Sequence, residues 1–425
     1  MKKLRSILAR LPGDDLLRHT GILFSGMMVV HVCNMLFQMG VSRGLPREEY
    51  ALLAAFLGVL TIIQRPLSTL STGISHYSSL LRQDGRAGDV KRLLKKWISL
   101  TGVPAVVLGV VAVVFNGPIA GFLHLNRVAP VVIAGALLPA LFWLPVLGGA
   151  GQGLQLFGLS SVATIAGALV RLGLGAGFVW FLYPACGWAM LGHGLGIYVS
   201  AGLLLLGLSL TLRRQNKSEA ALPSMRFYLL QSFFIQAAYA ILMTADVVLI
   251  KHYLPADTEF AYAATLGRMV VLLPGVIVVA MFPKVVSRGA GSREQSQVFF
   301  KSLGWTALLV AIAVFGCTAF SGLLARILFG ISEASVYLKR MIALMSLVMG
   351  FSALLNVVVQ FLIAQRRFWS ASATIGFAVL YLAGVAVYHV VSWQIVTVAA
   401  VCNAGALLVG LFFIFRGIDR DPEGF

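Results

Sequence analysis

Charge is what this chain has least of, and negative charge is scarcest. Of 425 residues, 11% are Asp, Glu, Lys or Arg and only 15 are acidic, against 59% hydrophobic and a mean hydropathy of +0.91. A soluble domain carries nearer a quarter charged residues, so this composition excludes a solvated domain and implies an all-α polytopic membrane protein. Cysteine is also scarce. Cys33, Cys317 and Cys402 lie in apolar runs and Cys186 in a short turn, which makes neither a disulfide framework nor a metal-ligand spacing. The opening "MKKLRSILARLPGDDLLRH" lacks the apolar core of a signal peptide. Residues 1–18 are therefore expected to stay, lying along the cytoplasmic interface.

What is abundant is apolar runs of spanning length, about 20 residues each. They predict twelve spans, near 20–42, 50–75, 98–115, 130–150, 158–183, 187–212, 227–250, 260–286, 303–325, 341–364, 369–390 and 393–415. The break "NGPIAGFLHLNRVAP" between the third and fourth is weak. The 33 Lys and Arg test the count. With both ends cytoplasmic, the outer loops hold only Arg43, Arg47, Arg127, Lys251, Arg326, Lys339 and Arg340. Arg65, Arg171 and Arg268 fall inside spans, and the rest lie on the cytoplasmic side, as the positive-inside rule requires. The basic excess thus follows from topology and calls for no nucleic acid. The segment "RQDGRAGDVKRLLKK" reads as a solvated linker touching anionic membrane lipids.

The chain repeats itself. "LPREEYALLAA" at Leu45 parallels "LPADTEFAYAA" at Leu254, "NGPIAGFLHL" at Asn116 parallels "SGLLARILFG" at Ser321, and "LQLF" at Leu154 parallels "AQRRF" at Ala364. An even number of spans per copy makes the repeats parallel, related by an axis along the membrane normal. The expected organisation is a six-helix lobe over 19–212, a basic linker over 213–226, a second six-helix lobe over 227–416 and a tail over 417–425. Such bodies place a substrate site between lobes that rock against each other.

The polar residues inside spans are the candidate site. Gln236, Tyr239, Met243 and Asp246 share one face of the seventh span, and His31, Asn34 and Gln38 share one face of the first, its equivalent. Interhelical hydrogen bonding explains such stripes as readily as a cavity lining does. Arg65 and Arg171 lie too deep to reach the interface, while Arg268 is reachable from outside. One buried anion, Asp246, cannot match three cations; backbone carbonyls could satisfy the other arginines, but a cavity that takes an anion is the more economical reading. Arginine suits phosphate through its two-pronged donor fork. Asp246 has two readings, a structural partner of Arg268 or Lys251, or a proton- or cation-responsive group. Pro66 and Pro274, at comparable depths in equivalent spans, fit bending during gating or simple packing irregularity. "GLGAG" near Arg171 is a packing feature, since no strand precedes it. Glu48, Glu49 and Glu259 suit helix starts. With Asp257 and Glu333 they make no metal or nucleophile–base grouping, so a membrane-embedded polysaccharide polymerase or acyltransferase is the less economical alternative.

Three stretches carry a family resemblance: "VSRGLPREEYALLAAFL", "GAGQGLQLFGLSSVATIAGALVRLGLG" and "LMTADVVLIKHYLPADTEFAYAATLGRMVVLLPGVIVVAMFPKVVSR". They resemble the bacterial polysaccharide flippases of the multidrug/oligosaccharidyl-lipid/polysaccharide (MOP) exporter superfamily. The last is the most specific, with Asp246, Tyr262, Ala264 and Pro283. Ala51 and Ala261 stand where that family usually has glycine. The resemblance implies two six-helix bundles in a V, in the bacterial inner membrane. It also implies a cargo of undecaprenyl-pyrophosphate-linked oligosaccharide moved from the cytoplasmic to the outer leaflet. Arg65, Arg171 and Arg268 would hold pyrophosphate or acidic sugars, and Asn34, Gln38, Gln236 and Tyr239 would contact sugar hydroxyls. Asp246 would couple the cycle to H+ or Na+, with no other cofactor. Pathway partners would be a glycosyltransferase and a polymerase. A drug or metabolite exporter of the same superfamily is the nearest alternative.

Overall fold

A computed structural model of the chain describes residues 15–125, 127–213, 226–286 and 293–418. Residues 1–14, 214–225 and 419–425, which hold most of the expected interfacial segment, linker and tail, lie outside the described residues. So does the side chain of Pro283. Among the described residues every regular element is helical. The first half runs α1 (Asp15–Gly44), α2 (Arg47–Gln83), α3 (Val90–Val114), the short α4 (Asn116–Phe122), α5 (Ala129–Gly153), α6 (Phe157–Phe181) and α7 (Cys186–Leu212). The second repeats that order with α8 (Arg226–Tyr253), α9 (Phe260–Val286), α10 (Arg293–Ala319), the short α11 (Ser321–Phe329), α12 (Val336–Ala364), α13 (Phe368–Val387) and α14 (Ser392–Ile418). Among the described residues, twelve long helices thus stand where twelve spans are predicted. Ten contain, among those residues, a stretch long and apolar enough to cross a membrane.

Several boundaries differ from expectation. The weak break after α3 is a separate helix, α4. The predicted span 303–325 overruns, because the chain turns at Phe320 (φ −109°, ψ 22°) and starts α11. Apolar residues flank that turn on both sides, so hydropathy cannot place it. Cys186 opens α7 rather than sitting in a turn, and all four cysteines are free and buried. The span-2 proline, Pro66, lies inside one helix of 37 residues, which at 1.5 Å per residue is roughly 55 Å and outruns a hydrocarbon core of about 30 Å.

Helix starts are held by side chains, two local and one distant. Ser335 caps α12 by accepting from the Leu338 amide at 2.9 Å, and Asp257 accepts from the Phe260 amide of α9 at 3.2 Å. Glu49, in the first turn of α2, also accepts from the Cys186 amide at 2.7 Å and so serves the N-terminus of α7. Glycine sets the closest approaches. A Cβ on Gly192 of α7 would lie 2.2 Å from the Gly175 Cα of α6, and one on Gly149 of α5 would lie 2.5 Å from the Ser71 carbonyl of α2.

The lobes meet unevenly. Across the seam α8 packs along α2, with Gly58 admitting Val247, Val248 and Thr244. Helix α1 leans instead on α6 of its own lobe and reaches across at its last turn, onto α11. One apolar core is shared between the lobes; at the face opposite the chain ends, hereafter the far face, it includes Phe37, Tyr50, Leu53, Leu123, Tyr262 and Phe329, and it runs down the C-terminal lobe to Phe299 and Ile414. Toward the chain-end face the N-terminal lobe keeps a second core around Leu70, Ile74, Leu93, Leu147 and Leu204.

Candidate functional site

Helix α2 places Arg65 18 residues after its start, about 27 Å along the axis at 1.5 Å per residue, and so at mid-helix. Its guanidinium faces α8 across the seam. It lies over the Tyr239 ring at 5.1 Å from the centroid, and its Nη2 is 3.9 Å from the Met243 sulfur. Arg65 is half-buried and has no carboxylate partner among the described residues. An arginine held there by a ring face and a thioether keeps most of its donors free, because cation–π contact supplies only about 0.5–2 kcal/mol and satisfies no N–H.

The other two arginines lie inside the lobes. Arg171 begins a π-helical turn of α6, Arg171–Ala176, a local widening often found at functional positions. Its Nη1 donates to Asn34 of α1 at 2.9 Å, its guanidinium carbon lies 4.2 Å from the Phe37 ring centroid, and its Nε has no partner. His193 of α7, whose Nδ1 is also unpartnered, lies within electrostatic reach. Arg268 of α9 forms a salt bridge with Asp246 of α8, and Asp246 Oδ2 and Arg268 Nε remain unpartnered. Lys251 is not that partner. Tyr381 and Asn403 complete this buried polar group. The Tyr381 hydroxyl has no partner, and Asn403 donates to the carbonyls of Leu242 (3.1 Å) and Ala399 (2.9 Å).

The predicted polar stripes therefore separate. Asn34 serves Arg171. Gln38 lies 3.4 Å from the Tyr50 hydroxyl, which donates across the seam to Thr265 at 3.0 Å while its ring stacks on Tyr262 at 4.6 Å. Tyr239 is fully buried. Its hydroxyl donates to the Ser352 carbonyl at 3.1 Å and its ring carries Arg65, so in this conformation it offers nothing to a sugar. Gln236 is 3% exposed with its amide oxygen unpartnered. Pro66 and Pro274 are buried inside continuous helices. The three arginines have three distinct sets of hydrogen-bond, ion-pair and ring partners, and of the three Arg65 is the one whose partners lie on the other lobe. Among the described residues no His, Cys, Asp and Glu grouping could hold a metal ion.

A pair of latches not anticipated from sequence closes the far face. At the end of α1, Arg43 donates to the Ile327 carbonyl and Ser42 to that of Leu328 at 3.4 Å, both at the C-terminus of α11 in the other lobe. At the end of α8, the equivalent helix, His252 Nδ1 donates to the Phe122 carbonyl of α4 at 2.8 Å and its ring stacks on Phe122 at 3.9 Å. His124 returns a bond to the His252 carbonyl at 2.9 Å. In both lobes a basic side chain in the last turn of the first helix satisfies terminal carbonyls of the other lobe's short helix. The signal was there to read: a basic residue ends both helices, and the short helices are the repeat at Asn116 and Ser321. Arg47–Glu259 at 3.6 Å adds an exposed tie.

No family model and no curated protein matches the chain. Solved structures do. A MATE-family multidrug resistance transporter of the MOP superfamily, in an inward-facing conformation, superimposes with a TM-score of 0.69 at 14% identity, over 94% of this chain and 98% of that one. The MATE multidrug transporter DinF-BH gives 0.69 at 14%, over 94% and 95%. A MOP superfamily transporter from Pyrococcus furiosus, described as having a binding pocket of reverse polarity that suggests a different function, gives 0.67 at 15%, over 95% and 96%. With its helices in two like-ordered lobes, the chain has the all-helical fold of the MOP superfamily transporters.

Proposed function

We propose that this protein is an alternating-access transporter that moves undecaprenyl-pyrophosphate-linked oligosaccharide from the cytoplasmic to the outer leaflet of the bacterial inner membrane. The observation that carries the reading is Arg65: a mid-helix guanidinium on the inter-lobe seam, half-buried, with no carboxylate among the described residues to neutralise it. A mid-membrane charge is unfavourable by about 2.5–3.5 kcal/mol on insertion scales, and an anionic cargo offsets that. The far-face latches and shared core make the present state one closed on that side, which is the cargo-loading state if the chain ends are cytoplasmic. Arg171 and Arg268 then act within the lobes, Arg171 by holding Asn34 on α1 and Arg268 by holding Asp246. Protonation of Asp246, or a Na+ displacing Arg268 from it, would loosen α8 from α9 and couple the cycle to an ion. Asn34, Gln38, Gln236 and Tyr239 reach sugar hydroxyls only in a state where the seam has opened. A glycosyltransferase upstream and a polymerase downstream follow from the cargo.

A drug exporter is the second reading, favoured by the MATE multidrug transporters among the fold neighbours. Its weakness is charge: the buried carboxylate that a cationic drug would want is already paired with Arg268. The deciding experiment compares lipid-pyrophosphate oligosaccharides in cells depleted of the protein. Build-up of one defined species, reversed by the intact protein but not by an equally abundant Arg65→Ala variant, supports the flippase. An unchanged lipid profile in cells that make such intermediates removes it and leaves the exporter.

A further inference from the structure

The turn joining α12 to α13 and the turn joining α5 to α6 are repeat copies with one backbone. Arg366 (φ 57°) and Gln155 (φ 60°) occupy the same left-handed position. Arg366 N bonds the Ile363 carbonyl at 3.0 Å and Arg367 N that of Leu362 at 2.9 Å. Gln155 N bonds the Gln152 carbonyl at 2.9 Å and Leu156 N that of Gly151 at 2.8 Å. This is one helix-ending motif built twice. Gln-Leu closes it in the first lobe, so the backbone does not need the Arg-Arg of the second.

The second copy borders a cavity. Arg366 and Arg367 line a space of about 710 Å³ with Tyr228, Gln231, Phe368 and Trp369. Tyr228 and Phe368 meet edge to face at 5.6 Å and form its wall. Trp369 is 86% exposed, as an interfacial anchor facing lipid would be. Arg367 is fixed by donating to the Phe413 carbonyl at 3.0 Å, and burial draws its guanidinium below the ordinary arginine value. The Arg366 side chain has no hydrogen bond or ion pair among the described residues, and the buried Gln231 amide oxygen has no partner there either. No lining residue is acidic. The positive-inside rule explains arginines on this face, but it does not explain two of them on one cavity beside an orphaned acceptor and an exposed tryptophan.

We propose that this cavity binds the phosphate of a membrane lipid headgroup. Arg366 supplies the two-pronged donor set, and Arg367 supports it from its anchored position. Gln231 accepts from a headgroup hydroxyl, and Trp369 seats the site at the level of the glycerol or isoprenoid linkage. The site is separate from Arg65 on the seam and does not depend on the identity of the cargo. Phosphatidylglycerol and an isoprenoid pyrophosphate share the required chemistry.

The test uses the purified full-length protein in uncharged detergent and reads bound lipid by native mass spectrometry. The wild type should retain phosphatidylglycerol over phosphatidylcholine by about tenfold. R366Q/R367L, which installs the first lobe's residues, should abolish that preference, and R366Q alone should lower it several-fold, with unchanged helicity and lipid-free Tm. K95Q/K96Q, which removes charge elsewhere on the chain, should leave it intact. An undiminished preference in R366Q/R367L, or an equal loss in K95Q/K96Q, overturns the site. So does equally tight binding of soluble glycerol phosphate, which would remove the membrane from the proposal. Displacement of phosphatidylglycerol by an isoprenoid pyrophosphate would name the second source, and resistance to displacement the first.

Discussion

Arg171 and Arg268 take their partners from within their own lobes, yet their surroundings differ. Arg268 is neutralised by Asp246. Arg171 has an amide oxygen at 2.9 Å, a phenyl face and no carboxylate among the described residues. Of these two arginines, the duplication thus left one neutralised by a carboxylate and the other met, among the described residues, by an amide oxygen and a ring. The same contrast recurs at both ends of the molecule. The far-face latch is Arg43 on one side and His252 on the other, and the chain-end turn carries Gln155 and Leu156 in one copy and Arg366 and Arg367 in the other. Equivalent backbones, built from repeated sequence, differ in the side chains that carry charge.

Breaking the ion pair should have the largest effect. Arg268→Met leaves Asp246 buried and unpaired and should cost about 3–5 kcal/mol of stability, with Asp246→Asn added to it recovering most of the loss. Thermal unfolding in detergent reads both, and a double variant whose loss equals the sum of the two single losses would show that the pair is not coupled. Next come the glycine contacts. Gly192→Ala drives a Cβ into the Gly175 backbone and should cost up to about 3 kcal/mol. Gly384→Ala, in the equivalent helix pair of the other lobe, meets only Val398 side-chain atoms at 2.7 Å and should cost less. Equal losses in folded yield would erase that distinction. Arg171→Met should lower stability by only about 1–2 kcal/mol, since it removes one hydrogen bond and one ring contact and leaves no buried carboxylate behind. A loss matching that of Arg268→Met would mean Arg171 has an acidic partner after all. The smallest effect belongs to the latches. Arg43→Ala and His252→Ala should each weaken far-face closure by roughly 1 kcal/mol. That is visible as a longer-distance population between spin labels at Val128 and Glu333, and unaltered distances in both variants would rule the latches out as ties.

The order of the long helices, the parallel repeat and the positions of the arginines along their helices were legible in the sequence because they depend on local quantities. A spanning helix must satisfy its own backbone in lipid, so about 20 apolar residues announce it. The repeat at Leu45 and Leu254 places equivalent helices, and charge counting offered Arg268 as one of two structural partners for Asp246. Other features were not legible. The turn at Phe320 lies within apolar sequence, and Glu49 caps α7, a helix that begins 137 residues later. Nothing local tells Tyr50 that it will stack on Tyr262 across the seam.

What sequence alone determined is therefore the class of the molecule: a two-lobed, membrane-spanning helical body with too few carboxylates for its buried cations. Only the tertiary structure decided which cation faces the seam, which is paired and which is left to an amide and a ring. The rotation of each helix about its axis is set by contacts with helices far away in the chain. Gly58 against Val247 turns α2 so that Arg65 meets Tyr239, and Gly196 against Arg171 sets α7 beside α6. Those contacts belong to packing between elements, where hydropathy and spacing carry no information.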